Sequence, residues 1–130
     1  MSGFLLDTHA FAWAVGAPDR LGKEARRAIE NPRAELWVSA ASAFELATKH
    51  RRGRFPEAGP IIDRLADFLE QLRARPLVIA MDHALRAGGF AWAHADPFDR
   101  MLAAQAMSED LTLISTDAAF GTLPGLRVVW

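Results

Sequence analysis

The chain has 130 residues, 51% of them apolar, a formal net charge of −1 and no cysteine. That is the length of one domain with enough apolar material for a core, and the missing thiols exclude disulfides, zinc–thiolate sites, iron–sulfur clusters and cysteine nucleophiles. The near-neutral charge gives no overall basic signature of nucleic-acid binding, no apolar run approaches the roughly 20 residues that cross a bilayer, and the N-terminus lacks a charged leader, so a single cytoplasmic domain over residues 1–130 is expected.

In chain order, residues 3–6 read as a short buried strand, continuously apolar as parallel strands are. Residues 8–15 read as a helix ended by Gly16, Ala17 and Pro18. A second helix spans 22–30 and stops at Asn31-Pro32. A second strand spans 35–38. Ser39 can cap the helix expected over 40–51, and Gly53 suits its end. Apolar residues at Ile61, Ile62, Leu65, Phe68, Leu69 and Leu72 have helical spacing and predict a helix over 61–73. A third strand is expected over 77–79, and Asp82 is expected to cap a helix running to about residue 90. Asp96-Pro97 marks another helix start, with proline at the first helical position, continuing through Ala106. A fourth strand is expected over 111–114 and a fifth over 126–130. Strands alternating with helices imply an α/β fold with a parallel sheet covered on both faces. In such sheets ligands bind beyond the carboxyl ends of the strands.

Five acids stand at strand ends or on a short helical face: Asp7, Glu45, Asp96, Asp99 and Asp117. Each has a plain local explanation. Asp7 and Asp117 can cap the helices that follow them. Glu45 can pair with Lys49 at i+4. Asp96 can cap its helix, and Asp99 lies in the first turn, where the helix dipole favours an anion. Carboxylates converging at one sheet edge would nevertheless be costly to desolvate without cations, and oxygen-only ligands point to magnesium or manganese.

The order of short motifs is informative. Phe4-Leu5-Leu6-Asp7-Thr8-His9 comes first, then Val38-Ser39 through Glu45 to Lys49. His94-Ala95-Asp96-Pro97-Phe98-Asp99-Arg100 follows, with Met101 through Ala106, and then Leu113-Ile114-Ser115-Thr116-Asp117. Together, over essentially the whole chain, they resemble PIN-domain ribonucleases, in particular the VapC-type toxins of type II toxin–antitoxin systems. Asp-Pro-Phe-Asp-Arg followed by Ala-Ala-Gln-Ala is the most specific stretch.

The resemblance implies a PIN-like three-layer sandwich with a central parallel sheet of about five strands flanked by helices. It implies Mg²⁺- or Mn²⁺-dependent hydrolysis of RNA phosphodiester bonds, in which water and not a side chain attacks. The implied catalytic and metal set is Asp7, Glu45, Asp99 and Asp117, with Asp7 and Asp99 the most direct ligands. Thr8, Ser39 and Thr116 would support the site, and Asp96 would act as a helix cap and outer group. Lys49, Arg51, Arg52 and Arg100 are the candidate RNA contacts, although a structural pair with Asp96 is the favoured reading of Arg100. His9 and His94 are read as structural or substrate-positioning residues and not as ligands. The implied partners are RNA, a small antitoxin and a second copy of the chain, with DNA reached only through the antitoxin. Two other readings remain open on sequence. One is a non-catalytic module acting within a toxin–antitoxin complex on operator DNA, and the other is a phosphatase or DNA nuclease using the same acids.

Overall fold

The computed structural model describes residues 3–130; residues 1 and 2, the start of the expected domain, lie outside it. Five parallel strands, β1 (Gly3–Leu6), β2 (Glu35–Ser39), β3 (Ala74–Leu77), β4 (Thr112–Ile114) and β5 (Val128–Val129), form one sheet in the order β3-β2-β1-β4-β5. The helices are α1 (Thr8–Gly16), α2 (Lys23–Glu30), α3 (Ala40–Arg51), α4 (Ala58–Asp63), α5 (Leu65–Leu72), α6 (Met81–Gly89) and α7 (Pro97–Ser108), with 3₁₀ turns at Pro18–Arg20 and Ala118–Thr122. None of the described helices is long and apolar enough to cross a membrane.

The strands look uniformly apolar because both faces are covered. Side chains alternate across a strand, so Leu6, Leu36, Val38 and Ile114 pack with Phe11, Ile29 and Ile61 on one side. On the other side Leu5 and Leu113 pack with Leu102, Ala103 and Phe120. β1 lies in the middle of the sheet. The chain builds outward from it first through β2 and β3, then returns to its other flank as β4 and β5. The point where the order reverses lies between β1 and β4, and their carboxyl ends open the crevice that open α/β sheets use for ligands.

Three expectations need correction. The third strand is not 77–79 but Ala74–Leu77, paired with Leu36 to Ser39. Arg73 closes α5 with a left-handed φ of 56° and turns the chain directly into the strand. Pairing with β2 decided the position, so Val78 and Ile79 pass the sheet and stand exposed. Pro76 is tolerated there because β3 is an edge strand. The helix expected over 61–73 is two helices broken at Arg64, whose ψ of 34° interrupts the turn. The apolar stripe continues across the break, with Ile62, Leu65, Phe68, Leu69 and Leu72 all on the same core, so its spacing carried no sign of the interruption. Asp82 does not cap α6; the cap position is Ala80, whose N–H donates to Nδ1 of the buried His83 (3.0 Å).

The N-terminus of α2 is closed by the far end of the chain. The main-chain oxygen of Trp130 accepts from the Glu24 and Ala25 N–H groups at 2.9 and 3.2 Å. Gly22 permits this approach, since a Cβ there would fall 2.5 Å from Trp130. Substitution Gly22→Ala is therefore expected to lower stability by about 1–3 kcal/mol through overpacking. Urea unfolding followed by circular dichroism measures it, and an unchanged midpoint would show that the contact is not tight in solution.

Candidate active site

Asp7 ends β1 and begins α1. Its carboxylate accepts from the Ala10 N–H (2.8 Å), so the capping expectation holds as bonding. Its own N–H donates to the Ile114 carbonyl (3.1 Å), which ties the end of β1 to the end of β4. The side chain is buried, with 8% exposure. Thr8, the next residue, donates its hydroxyl to Glu45 Oε1 and lies 3.1 Å from Ser42 Oγ. Glu45, on α3, is buried too, and its other oxygen pairs with Lys49 Nζ at 2.8 Å. Asp99 lies in the first turn of α7, with His94 Nε2 at 2.7 Å from Oδ2. Asp96 caps α7 by accepting from the Phe98 and Asp99 N–H groups. Asp117 follows β4 and caps the last 3₁₀ turn through the Ala119 N–H (2.9 Å).

All five acids line one cleft of about 140 Å³, together with Thr8, His9, Lys49 and Thr116. Larger grooves of about 440 and 420 Å³ exist elsewhere, each lined by a single carboxylate, Glu24 and Glu57 respectively. Chemistry and not size marks the smaller cleft.

A profile of the PIN domain matches residues 4–126. The chain belongs to the PIN-domain family. It is 34% identical over 120 residues to Ribonuclease VapC22 of Mycobacterium tuberculosis (strain ATCC 25618 / H37Rv), covering 90% of this chain and 88% of that one. Its fold is similar to VapBC2 from Rickettsia felis bound to a promoter DNA fragment (TM-score 0.73, 16% identity, 98% of each chain). It is likewise similar to DNA-bound VapBC from Salmonella typhimurium (TM-score 0.71, 20% identity, 99% of this chain and 98% of that). The three-layer PIN fold expected from sequence is thus the fold observed.

Burial and mutual repulsion of carboxylates dominate the electrostatics of this PIN-domain cleft. Burial pushes the Asp7 carboxyl above its ordinary value; hydrogen bonds from Ser115 and Ala10 and the charge of His9 oppose the shift, and Glu45 adds to it. Burial likewise pushes Asp99 up to about 6, against the hydrogen bond from His94, with Asp96, Asp117 and Glu45 repelling the charge further. Carboxylates that resist ionisation among other carboxylates are stabilised by a cation. The carboxylate oxygens are hard donors of the kind that Mg²⁺ and Mn²⁺ take. One atom each from His94, Asp99 and Asp117 lies within 4.8 Å of the others. The residues present therefore fit a divalent ion.

The other site residues divide. Thr8 and Thr116 face the cleft. Ser39 does not line it: its hydroxyl accepts from the Ala41 N–H and donates to Gln105 Oε1, so it caps α3 and ties that helix to α7. Of the four basic candidates, only Lys49 lines the cleft. Arg51 and Arg52 are exposed at the end of α3. Arg100 neither pairs with Asp96 nor stands free; its guanidinium is bound by main-chain carbonyls of Ala87, Phe90, Trp92 and His94. The five-residue separation of His94 from Asp99 matches no helical or strand period, so spacing does not join it to the acid set. The one available signal was its place in the same short motif.

The Asp99 shift carries a pH dependence. Unfolded, the carboxyl ionises near 3.8, and folded at about 6. Between these values the folded state holds more protons, so this group's stabilisation is full below about pH 4 and lost as pH rises through about 6. Asp99→Asn, without metal, should therefore be more stabilising relative to wild type at pH 7.5 than at pH 4.5. Thermal melts at the two pH values in chelator test this; an equal difference at both would refute the raised carboxyl.

Proposed function

We propose that this PIN domain is a divalent-metal-dependent endoribonuclease toxin, neutralised by a cognate antitoxin. The observation that carries the reading is the convergence of Asp7, Glu45, Asp99 and Asp117, from four separate segments, on one cleft at the reversal of strand order. The relationship to a VapC ribonuclease supports RNA as substrate.

Asp7 and Asp99 would hold Mg²⁺ or Mn²⁺, with Glu45 and Asp117 completing the anionic pocket. A bound ion of this kind lowers the pKa of water and offsets charge on the attacking and leaving oxygens of a phosphodiester. The protein's part is placement. Asp7 is held by its capping bond and by burial. Glu45 is aimed by Thr8 and Lys49 from opposite oxygens. Lys49 also supplies the one lysine or arginine in the cleft lining, suited to a phosphate. Exposed Arg51 and Arg52 extend positive charge along the end of α3, outside the cleft.

The antitoxin would sit on the groove of about 420 Å³ beside α1 and α5, a reading supported by the apolar floor of Trp13, Ile61 and Phe68. Exposed Val78, Ile79, Met81 and Leu85 offer apolar surface for a second copy. Similar folds occur in DNA-bound VapBC assemblies. With a net charge of −1, this chain would reach operator DNA through the antitoxin and not by itself.

Asp7→Asn preserves a side-chain acceptor for the capping bond but removes the charge. It is expected to reduce RNA cleavage in Mg²⁺ by at least about a hundredfold, and to abolish the rise in melting temperature that Mn²⁺ gives the wild-type protein by mass action. Purified protein freed of antitoxin, assayed on RNA, single-stranded DNA and a phosphomonoester, tests both points. Retained cleavage by the folded variant, or preference for either non-RNA substrate, would defeat the proposal.

A further inference from the structure

Arg100 follows Asp99 in the first turn of α7 but is absent from the cleft lining. Its Nε donates to the Ala87 carbonyl (2.9 Å), Nη1 to Trp92 (2.8 Å) and His94 (2.9 Å), and Nη2 to Phe90 (2.8 Å). Four of the five guanidinium N–H groups are thereby spent on main chain. The acceptors lie at the end of α6, where helical carbonyls lack intrahelical partners, and along residues 90–95, which belong to no helix or strand. Arg100 binds three carbonyls of that loop, which has no ladder bonds of its own.

The loop touches the supports of two cleft acids. His94 Nε2 meets Asp99 Oδ2 at 2.7 Å. Trp92 Nε1 donates to Thr122 Oγ1 at 2.8 Å, and its ring lies 6.2 Å from that of Phe120. Phe120 and Thr122 belong to the 3₁₀ turn that Asp117 caps. One loop thus spans from the α7 acid to the segment carrying the β4 acid.

We propose that Arg100 is a positioning residue: by binding four carbonyls it fixes the 90–95 loop, and the loop, through His94 and Trp92, holds Asp99 and Asp117 together, one atom of each within 4.8 Å of the other. The inference rests on the metal-dependent reading above. It differs from a phosphate-contact role in what lysine can replace. Lysine keeps the charge, but a point ammonium on a flexible stem cannot reproduce a planar fork holding four acceptors.

The test uses Arg100→Lys, His94→Ala and the double variant in the full chain. Calorimetric Mn²⁺ affinity, amide exchange of residues 90–95 without metal, and kcat and KM on RNA are the readouts. R100K is expected to weaken Mn²⁺ binding and kcat by about tenfold or more, as loss of groups supporting metal ligands does. KM should stay within about twofold, and exchange of the loop amides should quicken. H94A should weaken Mn²⁺ binding comparably, and the double variant should add little to the larger single effect.

Wild-type Mn²⁺ affinity and loop protection in R100K would overturn the inference. So would a defect confined to KM in Arg100→Ala that R100K restores, which marks a phosphate contact. Should R100K not fold, unchanged Mn²⁺ affinity in H94A overturns it alone. Absence of Mn²⁺ binding by the wild-type protein would overturn the functional reading and the inference with it. Wild-type binding with an unaffected R100K removes only the inference.

Discussion

Asp7 holds a carboxylate almost out of water at the one place in the sheet where the strand order reverses. A buried anion there is tolerated only with partners, and the partners shape the surroundings. Ala10 and Ser115 supply hydrogen bonds, and His9 supplies charge. Beside it, Thr8 reaches across to Glu45, and Glu45 needs Lys49. The cleft is a place where negative charge exceeds what the protein neutralises, and its side chains stand in the positions that such an imbalance forces on them.

The remaining structure keeps the acid-bearing helices in register. Gln105, fully buried on α7, accepts from Ser39 at the start of α3 and donates to the Val78 carbonyl beyond β3. That side chain fixes the helix of Asp99 against the helix of Glu45 and the sheet edge. Ala103, Ala104 and Ala106, all fully buried on α7, leave room for close packing against the sheet and α3. His83, bonded to both Ala80 and Glu109, holds α6 on the outer side of α7. Each polar contact is satisfied at both ends, which is what makes a buried polar link specify a single arrangement and not merely tolerate one.

The structure departs from local pattern where a non-local partner had authority. Leu77, Val78 and Ile79 look more strand-like than Ala74 to Pro76, yet the ladder to β2 selects the latter and leaves two apolar residues in solvent. Asp82 is the better capping residue by type, yet α6 begins two residues earlier because His83 is gripped from Glu109 at the end of α7. Arg100 carries a charge that reads as surface chemistry, yet the open carbonyls of α6 and its loop claim it. In each case the competing group lies far along the chain or in irregular backbone, beyond the reach of periodicity and capping rules.

By itself the sequence determined the class of fold, most of the places where strands hand over to helices, and a set of acids at or near those places. These follow from local spacing and from the resemblance that the ordered motifs carry. Only the tertiary structure decided that the acids share one small cleft, that His94 partners Asp99 while Ser39 and Arg100 stay out of the cleft, and which apolar run became the edge strand. The reason is physical. A carboxylate's environment is set by whichever groups the folded chain brings within a few ångströms of it, and the acids that share this cleft come from segments dozens of residues apart.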